Sequence, residues 1–284
     1  MNAPVDRDSV DRLPARARLD LHLHTTLSDG TLSPEELLRR CAESRLDLIA
    51  ITDHDLAPQV PAGWQTIAGR RICVLHAAEV SGVWQDRELH LLVYFPGDMP
   101  AAFRSFLRGR ARHRAERYEA ARKSIGLPDV EPADVAAHRG ERAITRHHLA
   151  RALVTAGHVG DTAAAFRTWT GSRHGHVPPV DLSWEEALST ARDAGGFTSW
   201  AHPRFEDARE HTRTFKGMGL QALEAIRPGL GHHGRAVLQR IAHKHGLLVT
   251  GGSDWHGWTG GAPGQFAFPL REARGVMRAL GVDF

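Results

Sequence analysis

The chain has 284 residues, 42% of them apolar, enough to bury a large core as one α/β domain or as one domain with an insertion. A formal net charge of +3 is too weak to argue by itself for nucleic-acid binding, although it suits an anionic substrate. Two cysteines, Cys41 and Cys73, exclude a disulfide framework, and no apolar run resembles a membrane span or a secretory leader, so a cytoplasmic protein with no membrane partner is expected.

Residues 1–17 are polar with mixed charge and read as a disordered tail. Residues 18–23 alternate apolar and polar side chains, as a short strand does. Asp29-Gly30 marks a turn. Ser33-Pro34-Glu35-Glu36 then starts a helix, with Ser as N-cap, Pro at the first helical position and Glu three residues after the cap; it runs to about Ser44. Segment 46–52 is apolar on both faces, a buried strand, and 72–79 and 89–95 read as two more. From Pro100 the pattern turns helical: an Arg-rich helix over 101–123, then helices over 145–156 and 161–169, with almost no strand signal before Gly196. Residues 96–179 are therefore expected to form a helical insertion between two barrel segments, 18–95 and 180–284. Ser183-Trp184-Glu185-Glu186 is a second capping box. Strands over 197–200, 220–226 and 247–251 follow, separated by helices, with helices over 233–245 and 271–280 near the end. Strand–helix alternation with short connections predicts a parallel sheet, and about seven such strands predict a closed or distorted barrel whose site lies where the strands end. There is no internal repeat.

Nineteen histidines are the compositional outlier, and histidine is the commonest metal ligand. Part of the surplus reflects an Arg- and His-rich composition. The rest border apolar runs along the chain: Asp20-Leu21-His22-Leu23-His24 with Asp29, Thr52-Asp53-His54, Glu79, His90 opening Leu91-Leu92-Val93, Ala201-His202-Pro203 and Gly252-Ser253-Asp254-Trp255-His256. His22 and His24 are two apart on a strand, so they share a face and can reach one ion. At the end of 46–52, His54 is read as a ligand and Asp53 as orienting it, with a turn or helix cap as the competing reading for Asp53. Glu79 ends its strand, and a carboxylate can bridge two ions. Asp254 and His256 repeat the spacing of two, and Gly251-Gly252 permits a close backbone approach. Any one of these residues alone could be a core histidine or a surface carboxylate. Independent core histidines would not keep falling at strand ends. The set predicts a multinuclear centre of the kind that performs hydrolysis, often of phosphoesters.

These motifs, with Ser28-Asp29-Gly30, resemble the PHP family, the polymerase and histidinol phosphatase domain, over residues 18–260. The resemblance implies an α/β fold, a distorted (βα)7 TIM-like barrel, carrying two or three divalent metal ions. By motif, His22, His24, Glu79 and Asp254 would hold one ion, and Glu79, His90 and His202 a second, with Glu79 bridging. Asp29, His54 and His256 would hold a third. Asp29 stands where some members carry His, and a carboxylate favours a harder ion, so Mn²⁺ is expected, with Zn²⁺ or Fe as alternatives.

The insertion and Thr145-Arg146-His147-His148 are similar to the branch of the family that removes phosphate from 3′,5′-nucleoside bisphosphates, 5′-nucleotides or the 5′ ends of short RNA. That likeness implies Arg146, His148 and Arg204 as phosphate ligands, since guanidinium forks match phosphate oxygens. It implies a metal-activated water as nucleophile, with Glu79 and Asp254 at the reaction centre and His148 or a bound water protonating the leaving group. The arginines of the long helix, Arg104, Arg108, Arg110, Arg112, Arg114 and Arg117, read as a solvated face paired with Glu116 and Glu119. An oligonucleotide groove is the sharper reading, but no interleaved aromatic platform is visible there. The alternatives are another PHP activity, such as histidinol-phosphate phosphatase or cyclic-phosphate diesterase, and a non-catalytic regulatory domain. Every expected ligand position is filled, which counts against the last. The length leaves no room for an appended polymerase, so a stand-alone enzyme is expected.

Overall fold

The computed structural model describes residues 11–127, 135–171 and 175–284. Most of the expected N-terminal tail and two short stretches of the expected insertion lie outside them. Within 11–17 the tail expectation does not hold: Leu13 and Ala17 are buried in the main core, and the Leu13 N–H donates to the Asp283 carbonyl at 3.0 Å.

Along the sheet the strands run β8-β7-β6-β5-β4-β2-β1-β9, with β3 paired to β4. Their ranges are β1 Arg18–Leu23, β2 Leu48–Ile51, β3 Gly63–Ile67, β4 Arg70–Trp84, β5 Arg87–Phe95, β6 Phe197–Trp200, β7 Ala222–Ile226, β8 Leu248–Gly251 and β9 Phe268–Pro269. The barrel is nearly closed. Beyond β8, the Asp254 N–H donates to the His22 carbonyl at 2.9 Å, and the His24 N–H to the Trp255 carbonyl at 3.0 Å.

The sheet is not wholly parallel. Pairs β1/β2, β2/β4, β6/β7 and β7/β8 are parallel, but β5 runs against both β4 and β6. The cause is local. Gln85 and Asp86 both take positive φ, 46° and 62°, the signature of a two-residue I′ hairpin, and a hairpin makes its strands antiparallel. Ala68 and Gly69, φ 49° and 75°, turn β3 into β4 in the same way. Because β5 is reversed, His90 near its start lies at the barrel end where the parallel strands finish.

The helices around the sheet are α1 Pro34–Glu43, α6 Trp184–Asp193, α7 Phe205–Met218, α8 Gly231–Lys244 and α9 Arg274–Ala279. Ser33 and Ser183 cap α1 and α6 through the N–H groups of Glu36 and Glu186, as the sequence signatures require. Trp184, Trp200 and Phe215 interlock in the main core with ring centroids 4.9 to 6.2 Å apart.

Between β5 and α6 lie α2 Ala101–Ile125, α3 Val135–His138, α4 Arg146–Thr155 and α5 Thr162–Ala165, which passes into a π-helical turn over Phe166–Thr170. They share a smaller core that includes Ala115, Leu149, Leu153 and Ala165. The Arg-rich helix α2 is not the solvated face expected of it. Phe103, Leu107, Arg110, Arg114, Arg117 and Ala121 recur at intervals of three and four, and all are buried. Arginines occupy positions where an apolar stripe would continue, and each meets a fixed partner. Arg110 pairs with Asp181, Arg114 with Asp55 at 2.5 Å, and Arg117 with the Pro178 carbonyl at 2.9 Å. Arg108 and Arg112 remain exposed.

Candidate metal centre

All nine candidate ligands come together at one end of the barrel. His22 is the penultimate residue of β1 and His24 follows the strand, both fully buried. The turn after them is folded by Asp53. Its carboxylate accepts the Thr25 N–H at 2.8 Å, the Thr25 hydroxyl at 2.6 Å and the Ser28 hydroxyl at 2.5 Å, which returns Asp29 towards the histidines. Gly252 lets the last ligand loop cross β1, because a Cβ there would stand 2.3 Å from the His22 Cβ. Asp20 receives the neighbouring Ser253 N–H at 2.8 Å. His202 and Asp254 have positive φ, 31° and 53°, sparsely populated backbone that persists where the surroundings hold it.

Glu79 is the hub. Its Oε2 lies 3.3 Å from the Nε2 atoms of His22 and His24 and 3.1 Å from His54 Nδ1. Its Oε1 lies 2.9 Å from His90 Nδ1 and 3.0 Å from His202 Nε2. Asp254 Oδ1 sits 3.3 Å from both His22 Nε2 and His24 Nε2, and Asp29 Oδ1 sits 3.3 Å from His256 Nε2. Ligand atoms of His22, His24 and Asp254, of His54, Glu79 and His90, and of His24, Asp29, His54 and His256 form three groups, each within 4.8 Å.

The donor set fits divalent ions. His22 Nε2, both nitrogens of His24, His54 Nδ1, Asp29 Oδ1 and Glu79 Oε2 are buried with no hydrogen-bond partner. So many orphaned lone pairs converging on one place are costly unless cations receive them. Imidazole and carboxylate donors suit Mn²⁺, Fe²⁺ and Zn²⁺. In the metal-free protein the charges compensate one another. Burial raises the Glu79 carboxyl, but His54, His22 and His90 outweigh it and hold the group well below the usual range. Burial lowers the His24 imidazole, but Asp254 and Glu79 bring it up to about 10. Incoming metal would displace such protons.

One residue of this centre has no counterpart among the sequence expectations. Glu224 of β7 is fully buried, with Oε1 2.9 Å from His22 Nδ1 and Oε2 accepting the His202 N–H at 2.7 Å. It thereby directs His22 Nε2 at the cluster and holds the strained backbone of His202. Glutamine offers only one acceptor for these two donors. Glu224→Gln is expected to weaken metal binding by about 10–100-fold, read by competition with a chelator; unchanged affinity would rule out this positioning. The only signal in the sequence is a lone Glu inside the buried run of β7.

An open pocket of about 580 Å³ lies over the cluster. Arg114 of α2 and Arg146 of α4 line it, as do His147 of α4 and Phe166 of the π-helical turn. Arg146 Nη2 stands 3.6 Å from Glu88. His148 does not line the pocket; its Nδ1 accepts the Thr145 N–H at 3.1 Å and completes a capping box for α4. Burial pushes its imidazole down to about 4, so it is neutral near pH 7. Arg204 is exposed at the start of α7 and also lies outside the pocket lining.

Comparison with known proteins agrees with the geometry. The PHP domain family matches residues 20–181. The chain is 32% identical over 252 residues to the 5′-3′ exoribonuclease Rnm of Salmonella typhimurium, covering 84% of each chain. It is 31% identical over 262 residues to the 3′,5′-nucleoside bisphosphate phosphatase of Chromobacterium violaceum, covering 88% of this chain and 89% of the other. A Bifidobacterium adolescentis structure assigned as a metal-dependent phosphoesterase superposes with a TM-score of 0.71 at 28% identity, over 94% of this chain and 98% of that one. With its barrel, its buried histidine–carboxylate cluster and these relatives, the chain belongs to the PHP domain family of metal-dependent phosphoesterases.

Proposed function

We propose that the bond hydrolysed is a nucleotide phosphoester, in a 3′,5′-nucleoside bisphosphate, a 5′-nucleotide or the 5′ end of a short RNA. The observation that carries this reading is the pocket itself: ligand atoms form its floor, and the guanidinium of Arg146 stands in its wall. The names of the two curated relatives point the same way.

We assign the nine residues His22, His24, Asp29, His54, Glu79, His90, His202, Asp254 and His256 to two or three divalent ions, Mn²⁺ being favoured by the mixed carboxylate–imidazole donors. Such ions, when bound, supply Lewis-acid stabilisation of phosphoryl oxygens and a water of lowered pKa. Glu79 and Asp254 hold the negative charge between the histidines and keep imidazole lone pairs aimed at the centre. Arg146 offers a planar fork to the non-bridging oxygens. Neutral His148 positions Arg146 by fixing the first turn of α4 rather than donating a proton. Arg204, at its exposed place, carries no role in this reading.

Residues 96–179 are read as an insertion that walls the pocket and sets specificity, between barrel segments 18–95 and 180–284. Among the described residues no helix is long and apolar enough to cross a membrane. Both cysteines are free and buried, in keeping with a cytoplasmic location.

The test is product release by Mn²⁺-loaded protein from 3′,5′-bisphosphoadenosine, 5′-AMP, a short 5′-phosphorylated RNA and histidinol phosphate. Preference for the nucleotides is the expected result, and mononucleotides released from the RNA would identify the bond as a diester. Activity confined to histidinol phosphate would overturn the reading.

A further inference from the structure

Among the described residues, the large hydrophobic side chains left exposed are Phe166 at 38% and Trp258 at 42%, and both line the metal pocket. They come from different parts of the chain. Phe166 opens the π-helical turn after α5, in the insertion, and π-helical turns are frequent at functional sites. Trp258 lies in the glycine-rich loop beyond β8, two residues after the candidate ligand His256.

The orientation of Trp258 is fixed. Its Nε1–H donates to the Asp29 carbonyl at 2.6 Å. His147 of α4 stacks on it with centroids 3.6 Å apart and planes 5° apart, and His256 packs 4.1 Å away with a 39° tilt. The rings thus form a column, His256–Trp258–His147, that starts at the ligand cluster and steps outward along the pocket wall.

We propose that His147, backed by Trp258, and Phe166 form a nucleobase-binding platform for the substrate whose phosphate sits over the ligand cluster. The proposal rests on the nucleotide reading and adds a base subsite to it. The column begins at the candidate ligand His256, so aromatic rings adjoin the place where the phosphate would sit. Stacking uses the π-face that every base has, so the platform recognises a nucleoside without choosing strongly among bases. It also supplies the aromatic element missing from the arginine helix α2, at a place the sequence pattern does not mark.

The test compares 5′-AMP with ribose 5-phosphate, which carries the same phosphate and sugar without the base. Phosphate release by Mn²⁺-loaded protein and calorimetric binding are both measured, for the wild type and for Phe166→Ala, Phe166→Tyr and His147→Ala. Base stacking contributes about 1–3 kcal/mol, so the wild type is expected to bind 5′-AMP about 5–150-fold more tightly than ribose 5-phosphate. That ratio should collapse in Phe166→Ala and His147→Ala and persist in Phe166→Tyr, which keeps the ring. Equal binding of the two ligands by the wild type would overturn the proposal. So would an alanine variant that weakens both ligands alike, the mark of a structural role. A binding preference for 5′-AMP with no hydrolysis of nucleotides would leave the base site standing and remove the proposed reaction. Hydrolysis without any preference for the base would do the reverse.

Discussion

Glu79→Gln is expected to lower kcat/KM by about 10²–10³-fold, the loss typical when one preorganised electrostatic group of an active site is removed. No other side chain of the centre meets so many partners: both of its oxygens are used, towards His22, His24 and His54 on one side and His90 and His202 on the other. Glutamine is neutral and presents one acceptor, so it leaves at least one histidine group without its anion. Metal content measured by mass spectrometry should fall together with turnover. The far-ultraviolet circular dichroism should be unchanged, since Glu79 lies in the long strand β4, held by β5 along much of its length. Full metal content with near-wild-type turnover would rule out Glu79 as the bridge.

Arg114→Met is expected to cause the largest loss of stability. Arg114 and Asp55 are 6% and 1% exposed and meet at 2.5 Å, with a second guanidinium nitrogen 2.7 Å from the Ser81 hydroxyl. Asp55 Oδ1 also receives the Ser81 N–H at 3.0 Å, so its carboxylate cannot swing to solvent. Stranding that charge costs about 3–5 kcal/mol. In a chain of this size each kcal/mol is worth about 2–4 °C, so the melting temperature should drop by about 10 °C. Adding Asp55→Asn should recover most of the loss, because the double variant leaves no buried charge unpaired. A single variant that melts with the wild type, or a double variant no better than the single, would show that the pair is not a structural anchor. The anchor matters for function because it fixes helix α2, whose Arg114 lines the pocket, beside the strand ends that carry the candidate ligands.

Much of the candidate metal centre is legible in the amino-acid sequence. Paired histidines at spacing two, Asp254 and His256 at the same spacing, and ionisable residues at the ends of apolar runs are local patterns, and parallel strands bring their C-terminal ends to a common end of a barrel. The N-cap at Ser33 and the capping box at Ser183 are legible for the same reason, since they are completed within four residues.

The features that are not legible depend on contacts distant in sequence or on local chemistry without a strong signature. The reversal of β5 hangs on Gln85-Asp86, a poor I′ turn by composition beside Asn-Gly, so nothing in the residues announces a hairpin. The arginines of α2 follow a helical stripe, yet whether such a stripe faces water or a wall of acids is settled by what packs against it; here Asp55 and Asp181 come from other segments. Glu224 is one glutamate in an apolar strand, and only its approach to His22 and His202 gives it a purpose. Trp258, His147 and Phe166 lie in three separate segments and share no pattern until the loop after β8 meets α4 and the turn after α5.

The sequence by itself determined the donor types and close spacings of the candidate ligands, because those are properties of short segments. Only the tertiary structure decided how the ligands share Glu79, which charges are buried in pairs, and which rings wall the pocket. Those depend on atoms approaching within a few ångströms across hundreds of residues, and no local pattern encodes such a distance.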